Sequence, residues 1–177
     1  MRQIVVGISD CQLSGESGSS LITYALGSCI GVAVHDSQAG VGGLLHFMLP
    51  DSTMNVKRAE DTPCMFADTG IPTLFRKACS MGAEKRRLTV SLLGGAQILD
   101  TKGEFNIGKK NYLAAKKLLW KAGVMIHAEH VGGTLPRTVR LEVGTGRIYF
   151  RAPGQPEKEL TVAAAGGKHG FPSPDRG

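Results

Sequence analysis

From Thr23 to Pro50 the chain reads as strand, turn, strand, and no other stretch limits the fold so strongly. Thr23-Tyr24-Ala25-Leu26-Gly27-Ser28-Cys29-Ile30-Gly31-Val32-Ala33-Val34-His35-Asp36 is followed, after Ser37-Gln38-Ala39-Gly40, by Val41-Gly42-Gly43-Leu44-Leu45-His46-Phe47-Met48-Leu49-Pro50. With the turn centred near Gln38, Cys29 lies nine residues before it and His46 eight after, so antiparallel pairing sets the two nearly opposite. The one-residue mismatch calls for a bulge or an asymmetric turn, with Gly31, Gly42 and Gly43 as suitable places.

The rest of the chain has to cover this hairpin. At 177 residues, 42% of them apolar, it supplies one core and no internal repeat. Strand-like segments are expected at Gln3–Ile8, Cys29–His35, Val41–Leu49, Leu88–Leu93, Val124–Val131, Thr138–Val143 and Arg147–Arg151, with Gly144-Thr145-Gly146 as a hairpin turn. Two amphipathic helices are expected. One lies near Thr69–Met81, capped by Asp68 or Thr69 with Pro72 in its first turn. The other lies near Gly108–Ala122, with Tyr112, Ala115, Leu119 and Ala122 inward and Lys109, Lys110, Lys116, Lys117 and Lys121 largely off that stripe. Many antiparallel strands and two such helices imply an α+β sandwich. The Pro/Gly-rich tail sets the expected domain at 1–151, with 152–177 largely extended or disordered, or adding an edge strand at Leu160-Thr161-Val162.

Composition narrows the function classes. The N-terminal apolar run is too short for a signal peptide, and Leu21 to Val34 too short and polar to span a membrane, so a cytoplasmic protein without membrane insertion is expected. Thiols stay reduced there. Cys11, Cys29, Cys64 and Cys79 contain no C-x-x-C spacing, which argues against a structural zinc site and leaves packing or nucleophilic roles. Residues 51–151 carry 17 basic and 9 acidic side chains, a lysine-rich solvated face by default and an attraction for an acidic partner otherwise. His127 and His130, three apart in a strand-like run, point to opposite faces and are read as structural or surface groups. Gly94-Gly95 and Gly132-Gly133 lack a phosphate-binding frame and are read as turns.

Cys29 and His46 carry the chemistry. An imidazole beside a thiol raises the thiolate fraction and returns a proton to a leaving group, so Cys29 should alkylate ahead of Cys11, Cys64 and Cys79. Free N–H groups near Gly27-Ser28 would stabilise an oxyanion, and the Thr23 hydroxyl or carbonyl could orient an imidazole, although threonine is common in strands for its β-propensity alone. A buried cysteine and a satisfied core histidine remain the plainer alternative.

Thr23-x5-Cys29-x16-His46, within Leu26-Gly27-Ser28-Cys29 and His46-Phe47-Met48-Leu49-Pro50, resembles the CheD family of chemoreceptor glutamine deamidases. Phe66-x-Asp68, Leu93-Gly94-Gly95-Ala96, Asn106-Ile107-Gly108-x2-Asn111, Gly132-Gly133, Arg137-x-Val139 and Thr145-Gly146 extend the resemblance over roughly residues 3 to 150. It implies a three-layer α/β sandwich with mostly antiparallel strands, similar to the catalytic domain of cytotoxic necrotising factor toxins. It also implies a Cys29-His46-Thr23 triad, nucleophile, base and orienting group in that order, hydrolysing glutamine amides on the cytoplasmic helical region of methyl-accepting chemotaxis receptors. Receptor methyl esters are a second implied substrate and a CheC-type phosphatase an implied partner. No cofactor, metal or nucleic acid is expected. The alternatives are another thiol hydrolase, such as a peptidase, and a non-catalytic adaptor binding receptor and phosphatase.

Overall fold

The computed structural model describes residues 1–98 and 105–162. Among the described residues, ten strands fall into two five-stranded sheets. The outer sheet has the order β1 (Arg2–Val5), β3 (Ser19–Leu26), β8 (Arg137–Glu142), β9 (Ile148–Arg151) and β10 (Lys158–Glu159). The central sheet has the order β2 (Asp10–Ser14), β5 (Val41–Phe47), β4 (Ile30–Asp36), β6 (Thr89–Gly94) and β7 (Ala128–Val131). Pairing is antiparallel except for β1 with β3 and β6 with β7. The α-helices among the described residues are α1 (Val56–Asp61), α2 (Ala67–Ser80) and α3 (Ile107–Lys121).

The central hairpin is covered on both faces, which is why β4 and β5 are buried throughout and read as continuous apolar runs. Alternate residues serve two cores. Val32, Val34, Leu45 and Phe47 pack with Ile71 and Leu74 of α2 and with Ala115 and Leu119 of α3. Ala33 and Leu44 pack with Leu21, Val139 and Leu141 of the outer sheet. The result is the three-layer sandwich, outer sheet, central sheet and helices. In β8 the expected alternation is clean, with Val139 and Leu141 inward and Thr138, Arg140 and Glu142 outward.

The hairpin register differs from the expected one. Ile30 pairs with Phe47 and Gly31 with His46, with no bulge in the ladder, so Cys29 and His46 are diagonal rather than opposed. The glycines serve close packing instead. A Cβ on Gly42 would press on Leu141 and Val143 of the outer sheet, and one on Gly43 on Leu74 of α2 and Leu13 of β2. The bulge lies in β3, where Thr23 pairs with Val139 but Leu26 with Arg137, and Ala25 takes the left-handed φ of +54°.

Helix α2 starts two residues before the expected Thr69, with Phe66 as N-cap, because the bridge from Leu49 to Phe66 delivers the chain there. Pro72 is therefore inside the helix, and the Asp68 carboxylate accepts from Ser52 N and Oγ instead of capping α2. Helix α3 falls where expected, although Ala122, its C-cap, is exposed rather than inward. Past Arg151 the edge strand forms at Lys158–Glu159, not Leu160–Val162. Residues 163–177, including Phe171 to Pro174, lie outside the described residues.

Candidate active site

The two sheets meet around a buried hydrogen-bonded pair. Thr23, at the last regular position of β3 before its bulge, and His46, on the outer-sheet side of β5, are both fully buried. Thr23 Oγ1 donates to the Val6 carbonyl at 2.8 Å and lies 2.8 Å from His46 Nδ1. A carbonyl only accepts and a hydroxyl has one proton, so the second contact runs from Nδ1–H to Oγ1. That fixes the tautomer: Nδ1 carries the proton and Nε2 the lone pair. Nε2 is buried with no hydrogen-bond partner among the described residues. Burial pushes the His46 pKa down to about 4, so the ring is neutral near pH 7.

Cys29 sits just before β4 in a segment tied at three points. Gly95 N donates to Cys29 O, Ala96 N to Gly27 O, and the Asn111 side-chain amide to Ser28 O at 2.9 Å. The same amide donates to Met48 O at 2.7 Å, two residues past His46. Asn111 thus joins the cysteine segment to the end of the histidine strand. Gly94 and Gly95, both at positive φ, are more than turns: a Cβ on Gly94 would collide with the Cys29 carbonyl.

Cys29 is half-buried and lines a cavity of about 400 Å³ together with Ala25, Gly27, Ser28, Gln97, Ile98 and Asn106. Burial pushes its thiol up to about 11, against a smaller opposite effect of its own backbone N–H. Thiol and imidazole are therefore both neutral near pH 7, and burial outweighs the rise in thiolate fraction expected of an imidazole partner. No hydrogen bond among the described residues joins Cys29 to His46.

A family model described as CheD chemotactic sensory transduction matches residues 48–152. A Solibacter usitatus protein named "Probable chemoreceptor glutamine deamidase CheD" is 51% identical over 160 residues, 90% of this chain and 94% of the relative. The chain belongs to the CheD family. A Syntrophus aciditrophicus relative, named "Probable chemoreceptor glutamine deamidase CheD 1", is 50% identical over 90% of this chain and all of its own length. A Pyrococcus horikoshii relative bearing the Solibacter protein's name is 39% identical over 85% and 93%.

Within this CheD chain, Thr23 and His46 are in contact, and Gly27, Ser28 and Cys29 share one cavity wall. His127 and His130 part as expected: His127 Nδ1 accepts from Val90 N, while His130 stacks on Phe150 and meets Arg137. Cys64 is buried and Cys79 exposed on α2. Asn111 is the residue that pattern reading undervalued. The available signal was a polar residue at the inward spacing of Gly108, Tyr112, Ala115 and Leu119. Arg137 is the other. Buried and without a carboxylate partner among the described residues, its guanidinium donates to the carbonyls of His130, Gly132 and Leu135. It thereby holds the loop whose Gly133 carbonyl accepts from Gln97 N on the cavity wall.

Proposed function

We propose that this chain hydrolyses glutamine side-chain amides on methyl-accepting chemotaxis receptors to glutamate, with Cys29 as nucleophile, His46 as base and acid, and Thr23 orienting the imidazole. The observation that carries the reading is the buried Thr23–His46 hydrogen bond, which leaves Nε2 as a lone pair with nothing else to bind. The family's named activity supplies the substrate class.

Nε2 takes the Sγ proton as sulfur attacks the amide carbon, so the thiolate forms only in the reacting complex. The amide oxygen becomes an oxyanion beside the N–H groups of Gly27 and Ser28, which donate to no backbone carbonyl among the described residues. The C–N bond breaks as the imidazolium gives its proton to the departing nitrogen, releasing ammonia and leaving a thioester on Cys29. Water then attacks the thioester, His46 takes its proton, the C–S bond breaks and Cys29 regains its hydrogen. Glutamine and water become glutamate and ammonia. A receptor methyl ester follows the same path with methanol leaving.

This reading places the protein in the cytoplasm, with residues 1–151 as the catalytic unit and a CheC-type phosphatase as a second partner. Incubation with a purified receptor cytoplasmic fragment, followed by peptide mass spectrometry, tests it. Conversion of defined glutamines to glutamate is expected. Peptide-bond cleavage would make the protein a peptidase, and binding without conversion an adaptor.

A further inference from the structure

The solvent side of α3 carries a stripe that begins at the Cys29 cavity. Asn106, the N-cap of α3, lines that cavity, and Leu113 and Trp120 follow it at seven-residue spacing. Leu113 is 50% and Trp120 80% exposed, while Asn111, Tyr112, Ala115 and Leu119 are buried on the opposite side. Lys110 and Lys117 fall between them. Positions 106, 110, 113, 117 and 120 therefore follow the i, i+4, i+7 seam along which one α-helix packs on another. At 1.5 Å per residue the seam runs about 21 Å from the cavity.

Two features set this face apart from ordinary solvated surface. Trp120 is the chain's single tryptophan, a residue type concentrated in the centres of interfaces, and here most of it is exposed. The charge around it is also unanswered. Helix α3 contains five lysines and no acidic residue, and no ion pair among the described residues engages Lys109, Lys110, Lys117 or Lys121. Apolar anchors at seven-residue spacing alternating with lysines complement a helix that alternates apolar and acidic side chains.

We propose that this stripe docks an acidic α-helix of the receptor substrate, laid along α3 with carboxylates against Lys110 and Lys117, so that its glutamine enters the cavity at the N-terminal end of α3. The proposal rests on the receptor-deamidase reading and adds to it a recognition surface outside the cavity. Long helical substrates gain from it and short glutamine peptides do not.

Trp120 supplies the probe. Titrating the Cys29→Ala protein with a tryptophan-free receptor cytoplasmic fragment should move Trp120 emission to shorter wavelength. The Lys110→Glu/Lys117→Glu protein should bind the fragment about tenfold or more weakly. In the protein with Cys29 intact, the same pair of substitutions should raise KM for the fragment by a similar factor and leave kcat/KM for a blocked glutamine tripeptide unchanged. An emission maximum that stays put, or a fragment KM indifferent to charge reversal, would overturn the docking surface. A shift on binding with no conversion of any glutamine by wild type would instead retain the surface and remove the deamidase reading.

Discussion

Replacing Thr23 by valine keeps the shape of the side chain and removes only its hydroxyl. Two buried groups lose their partner: the Val6 carbonyl, which accepts from Oγ1 at 2.8 Å, and His46 Nδ1–H, which donates to it at 2.8 Å. An orphaned buried polar group costs about 1–3 kcal/mol, so for the two a loss of about 2–6 kcal/mol in folding stability is expected. His46 has one way to recover part of this, by moving its proton from Nδ1 to Nε2. That relief is catalytically harmful, because Nε2 then holds a proton where it must accept one. A misplaced proton removes general-base catalysis, and kcat for glutamine conversion should fall about 10²–10⁴-fold. The assay pairs denaturant unfolding with glutamine-to-glutamate conversion measured where both proteins are folded. Imidazole ¹⁵N shifts report which nitrogen of His46 is protonated. Thr23→Ser restores the hydroxyl and should recover most of the activity. Wild-type kcat in a merely destabilised Thr23→Val protein, or a serine variant as inactive as valine, would refute the orienting role.

The buried neutral imidazole makes stability depend on pH. In the unfolded chain His46 takes up a proton below its ordinary value of 6.5, but in the folded protein only below about 4, so stability falls as pH drops through that window. The total is about 3 kcal/mol, measurable by denaturant unfolding at several pH values and missing in His46→Leu. Iodoacetamide at neutral pH should modify exposed Cys79 ahead of Cys29, whose thiol burial holds protonated; peptide mapping that found Cys29 first would contradict the neutral resting pair. Gly94→Ala places a methyl group against the Cys29 carbonyl at a φ of +107°, and should cost about 1–3 kcal/mol while lowering conversion through displacement of Cys29.

The hairpin, both long helices and the sandwich class were legible because each rests on local periodicity. β4 and β5 form where β-branched and apolar residues run together, and α3 where Tyr112, Ala115 and Leu119 recur at helical spacing. Register was not legible. Counting from a turn centred on Gln38 puts Cys29 one position from the residue opposite His46, whereas the ladder puts it two away, because the four-residue turn centres between Gln38 and Ala39. The start of α2 was missed for a tertiary reason, the bridge from Leu49 to Phe66. Cys29 and His46 could be paired by residue type and spacing, whereas the orienting role of Thr23 comes from the family resemblance. Asn111 and Gly94 act through backbone carbonyls on distant segments and Arg137 through those of the loop just before it, and such contacts leave no mark on local sequence beyond a polar or small residue in an apolar setting.

Removing the sulfur of Cys29 asks whether glutamine conversion runs through it. Wild type and Cys29→Ala, each shown to be folded, are incubated with the same receptor cytoplasmic fragment and the glutamate formed at each glutamine is counted by mass. The substitution should lower conversion about 10³-fold or more. Conversion at the wild-type rate without that sulfur would contradict its role as nucleophile.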